Sequence, residues 1–186
     1  MLVLDDFLES YDALRVYADT ANFSNITNPV DGVVYPLICA DIPDGIKAEI
    51  FARLDAFKGA PIESPTLFMR RSPAGVRVPH AVHSDMSMGR YSLMLYLNRA
   101  AHCQGGTSFL SHKATGIGYN PEHPDFAAIV VEDQNNAAAW VVREMVDMQP
   151  NRAVIFDSAR LHRAEPSGGF GDSPRDMRIV LTCFFS

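Results

Sequence analysis

The chain lacks several things that would otherwise decide its class. It has no C-x-x-C pair, no apolar run near the roughly 20 residues a membrane span needs, and no surplus of basic residues. Its cysteines, Cys39, Cys103 and Cys183, are odd in number and far apart. That spacing excludes a disulfide framework and a zinc knuckle, and makes reduced thiols in the cytoplasm the simplest expectation. Cys103 lies beside His102 but has no second cysteine near it to build a soft metal site. Lys and Arg total 16 against 22 Asp and Glu, for a net charge of −6. No nucleic-acid partner is therefore expected, because wide phosphate binding needs a cationic surplus. Arg70, Arg71 and Arg77 form one local basic cluster. The opening MLVLDDFLES carries acids within its first six residues and no basic segment, so neither a targeting signal nor a membrane anchor is expected. No linker, repeat or low-complexity tract divides the chain. One domain over 1–186 is expected, large enough to bury a core without disulfide or zinc staples.

What is present reads as a β-rich protein with helices outside it. Leu2 to Leu4 predicts a short strand. Phe7, Leu8, Tyr11, Leu14 and Tyr17 follow near helical spacing, with Asp5 or Asp6 placed to cap. A second helix is predicted over Asp44 to Phe57, where Ile46, Ile50, Phe51, Leu54 and Phe57 share a face and Gly59 ends the run. Residues 1–60 are expected to supply this entry strand and the supporting helices. From Pro65 the pattern changes to alternating runs split by Pro and Gly: TLFMRR, RYSLMLYLN, GTSFLS, AVIFDS and RIVLTCFFS. Such runs predict an antiparallel sandwich or barrel over 66–186. Between Pro124 and Met148, PDFAAIVVEDQ fits a helix and WVVREMVDM alternates like a strand.

The chemistry-bearing residues begin with HSDMSMGRYSLMLYLN. A ferrous oxygenase site needs two neutral imidazoles and one carboxylate on one side of the metal, with the opposite positions open. His83-x-Asp85 supplies two of these ligands, and NRAVIFDSARLH delivers a distant His162 at the end of an apolar strand. Arg178 then heads RIVLTCFF, where a buried guanidinium can pair bidentately with a carboxylate. His80 stands near His83 but has no x-Asp partner, so it is expected to line the entrance.

Taken in order, His83-Ser84-Asp85, GRYSLMLYLN, QGGTSF, NRAVIFDSARLH and RIVLTCFF resemble the iron(II)- and 2-oxoglutarate-dependent dioxygenases, in their prolyl-hydroxylase-like branch. The likeness covers roughly residues 66–186, and LVLDDFLESYDALRVYA is similar to that branch's first strand and helix. It implies a distorted double-stranded β-helix, a jelly-roll or cupin-like fold of about eight strands with helices on one side. It implies His83, Asp85 and His162 as iron ligands, Arg178 as partner of the distal carboxylate of 2-oxoglutarate, and Tyr96 as a further cosubstrate contact. The implied reaction uses O2 and decarboxylates 2-oxoglutarate to succinate while hydroxylating a C–H bond, with ascorbate as a supporting reductant.

Arg175 is a rival for the carboxylate clamp, because the stretch GGFGDSP lengthens the gap after His162. MRRSPAG stands where the branch often carries a tyrosine ahead of the His-x-Asp motif, so the usual peptidyl-proline substrate does not follow. Strand parity allows only one of Tyr91 and Tyr96 to face the site. Arg90 and His112 are candidates for orienting substrate, and Trp140 is expected in the core. The expected function is hydroxylation of a small-molecule or amino-acid-like substrate. A protein or peptide hydroxylase, and a non-catalytic metal- or acid-binding domain, are the alternatives. A nucleobase demethylase is disfavoured, since no second arginine follows Arg178 in RIVLTCFF.

Overall fold

A computed structural model describes residues 1–27, 32–76, 80–120 and 126–186. Arg77, one of the cluster of three arginines, lies outside the described residues, as do Pro124 and Asp125 of the ambiguous segment. In chain order the elements are β1 (Leu2–Leu4), α1 (Tyr11–Thr20), β2 (Ser24–Thr27), β3 (Val34–Cys39), α2 (Asp44–Lys58), β4 (Thr66–Ser72), β5 (Tyr91–Tyr96), β6 (Gly106–His112), α3 (Phe126–Asp133), β7 (Trp140–Asp147), β8 (Ala153–Asp157), β9 (His162–Glu165) and β10 (Arg178–Phe185). Two antiparallel sheets result, a large one in the order β1-β8-β5-β10-β4-β3-β2 and a small one in the order β7-β6-β9. Among the described residues no helix is long and apolar enough to cross a membrane.

Alternation along the strands decides what each face of the large sheet does. Leu93 and Leu95 of β5, Ala153 and Ile155 of β8, Ile179, Leu181, Cys183 and Phe185 of β10, and Met69 of β4 turn to one face. There they pack against Leu14 and Ala18 of α1 and Ile46, Ile50 and Leu54 of α2. The residues between them, Tyr96, Val154, Phe156 and Val180, turn the other way and meet Phe109 and Val146 of the small sheet. One sheet thus serves a helix-backed core and an interior between the sheets, which is why β5, β8 and β10 are apolar on both faces. Tyr91 falls on the helix side, packed on Phe185 and Phe57, while Tyr96 falls on the inner side.

The helices depart from their sequence reading at one end. Helix α2 runs as expected and stops at Gly59, whose φ of 74° closes the last turn through its N–H to the Asp55 carbonyl. Helix α1 begins only at Tyr11, after Ser10, and neither Asp5 nor Asp6 caps it. Asn151 is the cause. Its backbone carbonyl and side chain accept from Phe7 and Leu8 N–H, and its amide donates to the Leu8 carbonyl, so these residues are held out of the helix. Asp5 pairs instead with Arg152 at 2.6 Å. The ambiguous segment divides into helix α3 and strand β7. Helix α3 sits apart from α1 and α2, its Phe126 packing with Leu110, Trp140 and Leu161.

Candidate active site

The site is built at the end of the interior between the sheets, where the β4–β5 connection meets the β8–β9 turn. His83 and His162 form an antiparallel bridge, exchanging both backbone hydrogen bonds at 3.1 and 2.9 Å. The Asp85 N–H donates to the Ser158 carbonyl at 2.8 Å, and Met88 N–H folds back on the Asp85 carbonyl at 2.8 Å. The backbone therefore fixes three side chains whose ligand atoms lie within 4.8 Å of one another. His162 Nε2 stands 3.1 Å from one Asp85 oxygen and His83 Nε2 stands 3.6 Å from the other.

This donor set fits a facial-triad metal ion. His162 Nδ1 faces the Arg160 carbonyl at 3.0 Å and His83 Nδ1 faces the Ala81 carbonyl at 3.4 Å. A proton held at each Nδ1 leaves both Nε2 lone pairs directed at the same point as the carboxylate. Phe156 and Phe109 wall His162, with ring centroids at 4.9 and 6.3 Å. Arg160 lies over Phe109 and pairs with Glu144, closing the outer side.

Charge in the cluster is strongly coupled. Burial opposes ionisation of Asp85, but the two imidazoles outweigh it and hold the carboxyl below its ordinary value. Burial also opposes a charged His162, yet the Asp85 charge and hydrogen bond outweigh it and raise the imidazole above 6.5. His83 is pushed down to about 4 by burial and by its neighbour His162. In the metal-free cluster the proton taken up as pH falls through the ordinary histidine range therefore goes to His162 rather than His83. That protonated pair adds stability below the unfolded histidine value, and the stability is lost as pH rises through the raised value. His83 acts oppositely and costs stability as pH falls from 6.5 toward 4. A divalent ion must displace the His162 proton. Because the His162 value is raised above 6.5, manganese(II) binding is expected to release protons at pH 6.5 and fewer as pH rises, with affinity climbing and then levelling. Calorimetry in buffers of different ionisation enthalpy measures the count, and a zero count at pH 6.5 would contradict the ligand set.

Arg178 lies on the inner face at the head of β10 and is 4% exposed. Burial lowers its pKa to about 10, so it stays charged at neutral pH. Its Nε has no hydrogen bond, and Nη2 makes only long contacts, 3.5 Å to the Gly106 carbonyl and 3.6 Å to Met94 Sδ. Among the described residues it has no carboxylate partner, which is costly for a buried cation unless an anion arrives. Tyr96 lies within electrostatic reach of Arg178 and donates its hydroxyl to Thr107 Oγ1 at 2.8 Å. β6, which carries Thr107, is drawn against β9 at Gly105. With φ at 57° and a would-be Cβ only 2.2 Å from the Glu165 carbonyl oxygen, that position admits no side chain.

The remaining candidates lie elsewhere. Arg175 is exposed on a surface hollow shared with Asp19 and Ser173. His80 bonds Gln134 at 2.9 Å. His112 is buried between Thr115, Asp133 and the ring of Trp140. Arg90 is exposed and lies over the Tyr91 ring. The cluster of adjacent arginines is split by strand parity: Arg71 turns to the helix side and donates to the Ala18 carbonyl, while Arg70 turns inward. Sequence reading named Arg70 only as part of a local basic cluster. The signal that exposes it is simple, for two adjacent arginines in a strand buried on both faces must place one inside.

No family model and no curated protein sequence matches the chain. Solved structures do. A prolyl hydroxylase from Trichoplax adhaerens, in complex with a hypoxia inducible factor oxygen degradation domain peptide fragment, is similar over 99% of this chain and 82% of its own, at 16% identity and a TM-score of 0.57. A prolyl-4-hydroxylase from Pseudomonas putida matches 99% of this chain and 90% of its own, at 19% identity and a TM-score of 0.54. EvdO2 from Micromonospora carbonacea var. aurantiaca, complexed with 2-oxoglutarate, matches 99% and 85%, at 19% identity and 0.54. At such identities the likeness establishes the fold. It is the double-stranded β-helix that these prolyl hydroxylase structures share, as the sequence blocks imply.

Proposed function

We propose that this protein is an iron(II)- and 2-oxoglutarate-dependent oxygenase that hydroxylates a small-molecule substrate. The observation that carries the reading is the pairing of a His-Asp-His cluster with a buried Arg178 that has no carboxylate partner among the described residues. His83, Asp85 and His162 would hold the ferrous ion, leaving the positions opposite them to small molecules. Once bound, that ion with 2-oxoglutarate and O2 supplies the oxidising chemistry, coupling decarboxylation to C–H hydroxylation. The chain's own share is placement and shielding. Arg178 receives the distal carboxylate, Tyr96 turns its hydroxyl toward the same acid, and Asp85 stays ionised at neutral pH. Phe109 and Phe156 keep water from the His162 side, which strengthens every charge interaction inside. Neither Arg90 nor His112 is given a role.

Purified protein with iron(II), ascorbate and 2-oxoglutarate should form succinate slowly without added substrate. Calorimetric uptake of 2-oxoglutarate with no consumption of O2 would instead support a non-catalytic binder. The peptide-hydroxylase reading is favoured by one observation, the peptide bound to the Trichoplax adhaerens enzyme. Mass spectrometry for gain of one oxygen atom on candidate proteins separates it from small-molecule hydroxylation. The three cysteines are free thiols, which supports the expected cytoplasmic setting.

A further inference from the structure

The inner face holds a second guanidinium that the proposed reaction does not use. Arg70 of β4 stands in one cross-strand row with Val180 of β10, Tyr96 of β5 and Ile38 of β3, two positions along β10 from Arg178. Residues directly opposite in antiparallel pairs share a face, so Arg70 points into the space between the sheets. Tyr35 backs its guanidinium, 6.0 Å from ring centroid to Cζ. It also interacts electrostatically with Asp85 and Arg178. Its Nε is buried without a partner, and the Arg70 side chain has no hydrogen bond or ion pair among the described residues.

The charges of the proposed complex balance without it. A ferrous ion with Asp85 leaves one positive charge, and dianionic 2-oxoglutarate with Arg178 leaves one negative charge. Arg70 is then an uncompensated cation beside the reacting centre, and one more negative charge would settle it. We propose that Arg70 anchors the carboxylate of the prime substrate, making that substrate a small monocarboxylic acid. A phosphate dianion would overshoot the balance, and a neutral substrate would leave Arg70 unmatched. This inference rests on the oxygenase reading, and the experiment keeps the two apart.

The probe is 13C-labelled acetate, titrated by NMR into protein loaded with zinc(II) and saturated with the inert cosubstrate analogue N-oxalylglycine, with acetamide as the neutral control. Acetate is expected to bind the loaded native protein, and acetamide is not. Arg70→Gln should weaken acetate by roughly tenfold or more, the value of a charge-assisted pair, while N-oxalylglycine affinity stays within about twofold. Retained analogue binding also shows that the variant is folded, and Arg70→Lys should restore part of the acetate affinity. Unchanged acetate binding in Arg70→Gln overturns the proposal. So does a loss of N-oxalylglycine affinity as large as that of Arg178→Gln, which would assign Arg70 to the cosubstrate. Failure of the native protein to bind N-oxalylglycine at all would remove the oxygenase reading and this inference with it.

Discussion

Replacing His162 by alanine is expected to abolish succinate formation and to weaken manganese(II) binding by more than about 100-fold, beyond the range for losing an outer-shell partner of a ligand. His162 is 2% exposed and offers the ligand atom nearest Asp85. Its loss removes one of three donors and strands a half-buried carboxylate. The second effect complicates the first, because breaking a buried ion pair by deleting one partner costs about 3–5 kcal/mol. Asp85→Asn separates them. It takes away the charged ligand, and His162 can answer by shedding its proton, whereas a carboxylate stranded by His162→Ala keeps its charge at neutral pH. Asp85→Asn should therefore lose metal and turnover to a similar degree while its metal-free melting temperature falls less than that of His162→Ala. Metal titration and thermal melts of the two variants side by side make the check. Near-native metal affinity in either would dismiss the cluster as the metal centre.

The second large effect is expected at Arg178. Arg178→Gln should raise the 2-oxoglutarate KM by about 100-fold or more, as expected for two charge-assisted hydrogen bonds to one carboxylate. Metal affinity should hardly move. Stability should move the other way. In the free protein this guanidinium is buried at 4% exposure with no anionic partner among the described residues, so a neutral amide relieves a desolvation cost. A gain of about 1 kcal/mol would raise Tm by about 2–4 °C in a chain of this size. Weaker cosubstrate binding with an unchanged or higher Tm marks a residue retained for binding. A large fall in Tm would mean that Arg178 is a structural cation. Arg175→Gln, on the exposed rival, is expected to change neither quantity.

The legible parts of the fold were those whose pattern is local. TLFMRR, SLMLY, GTSFLS, AVIFD and RIVLTCFF are strands because β-branched and aromatic residues alternate between sharp turn signals, and all of them form. His162–Glu165 was not legible, since HRAE is short and polar and becomes a strand only because β6 offers it a pairing edge. The late start of α1 was hidden for a similar reason, as Asn151 reaches it from across the chain. In the site, the triad and Arg178 stood out through motif order. Arg70 did not, because its importance comes from the sheet's two-sided burial, which a single run of sequence does not reveal.

The reciprocal backbone bonds between His83 and His162 bear on how a metal ion meets this protein. Two remote stretches of chain are already tied at the ligands themselves, so the entropy of closing that loop is spent during folding. An arriving ion has only side-chain rotamers to order. Unlike a zinc finger, whose metal creates the fold, this cradle should persist through chelation, and iron should come and go as an exchangeable reagent.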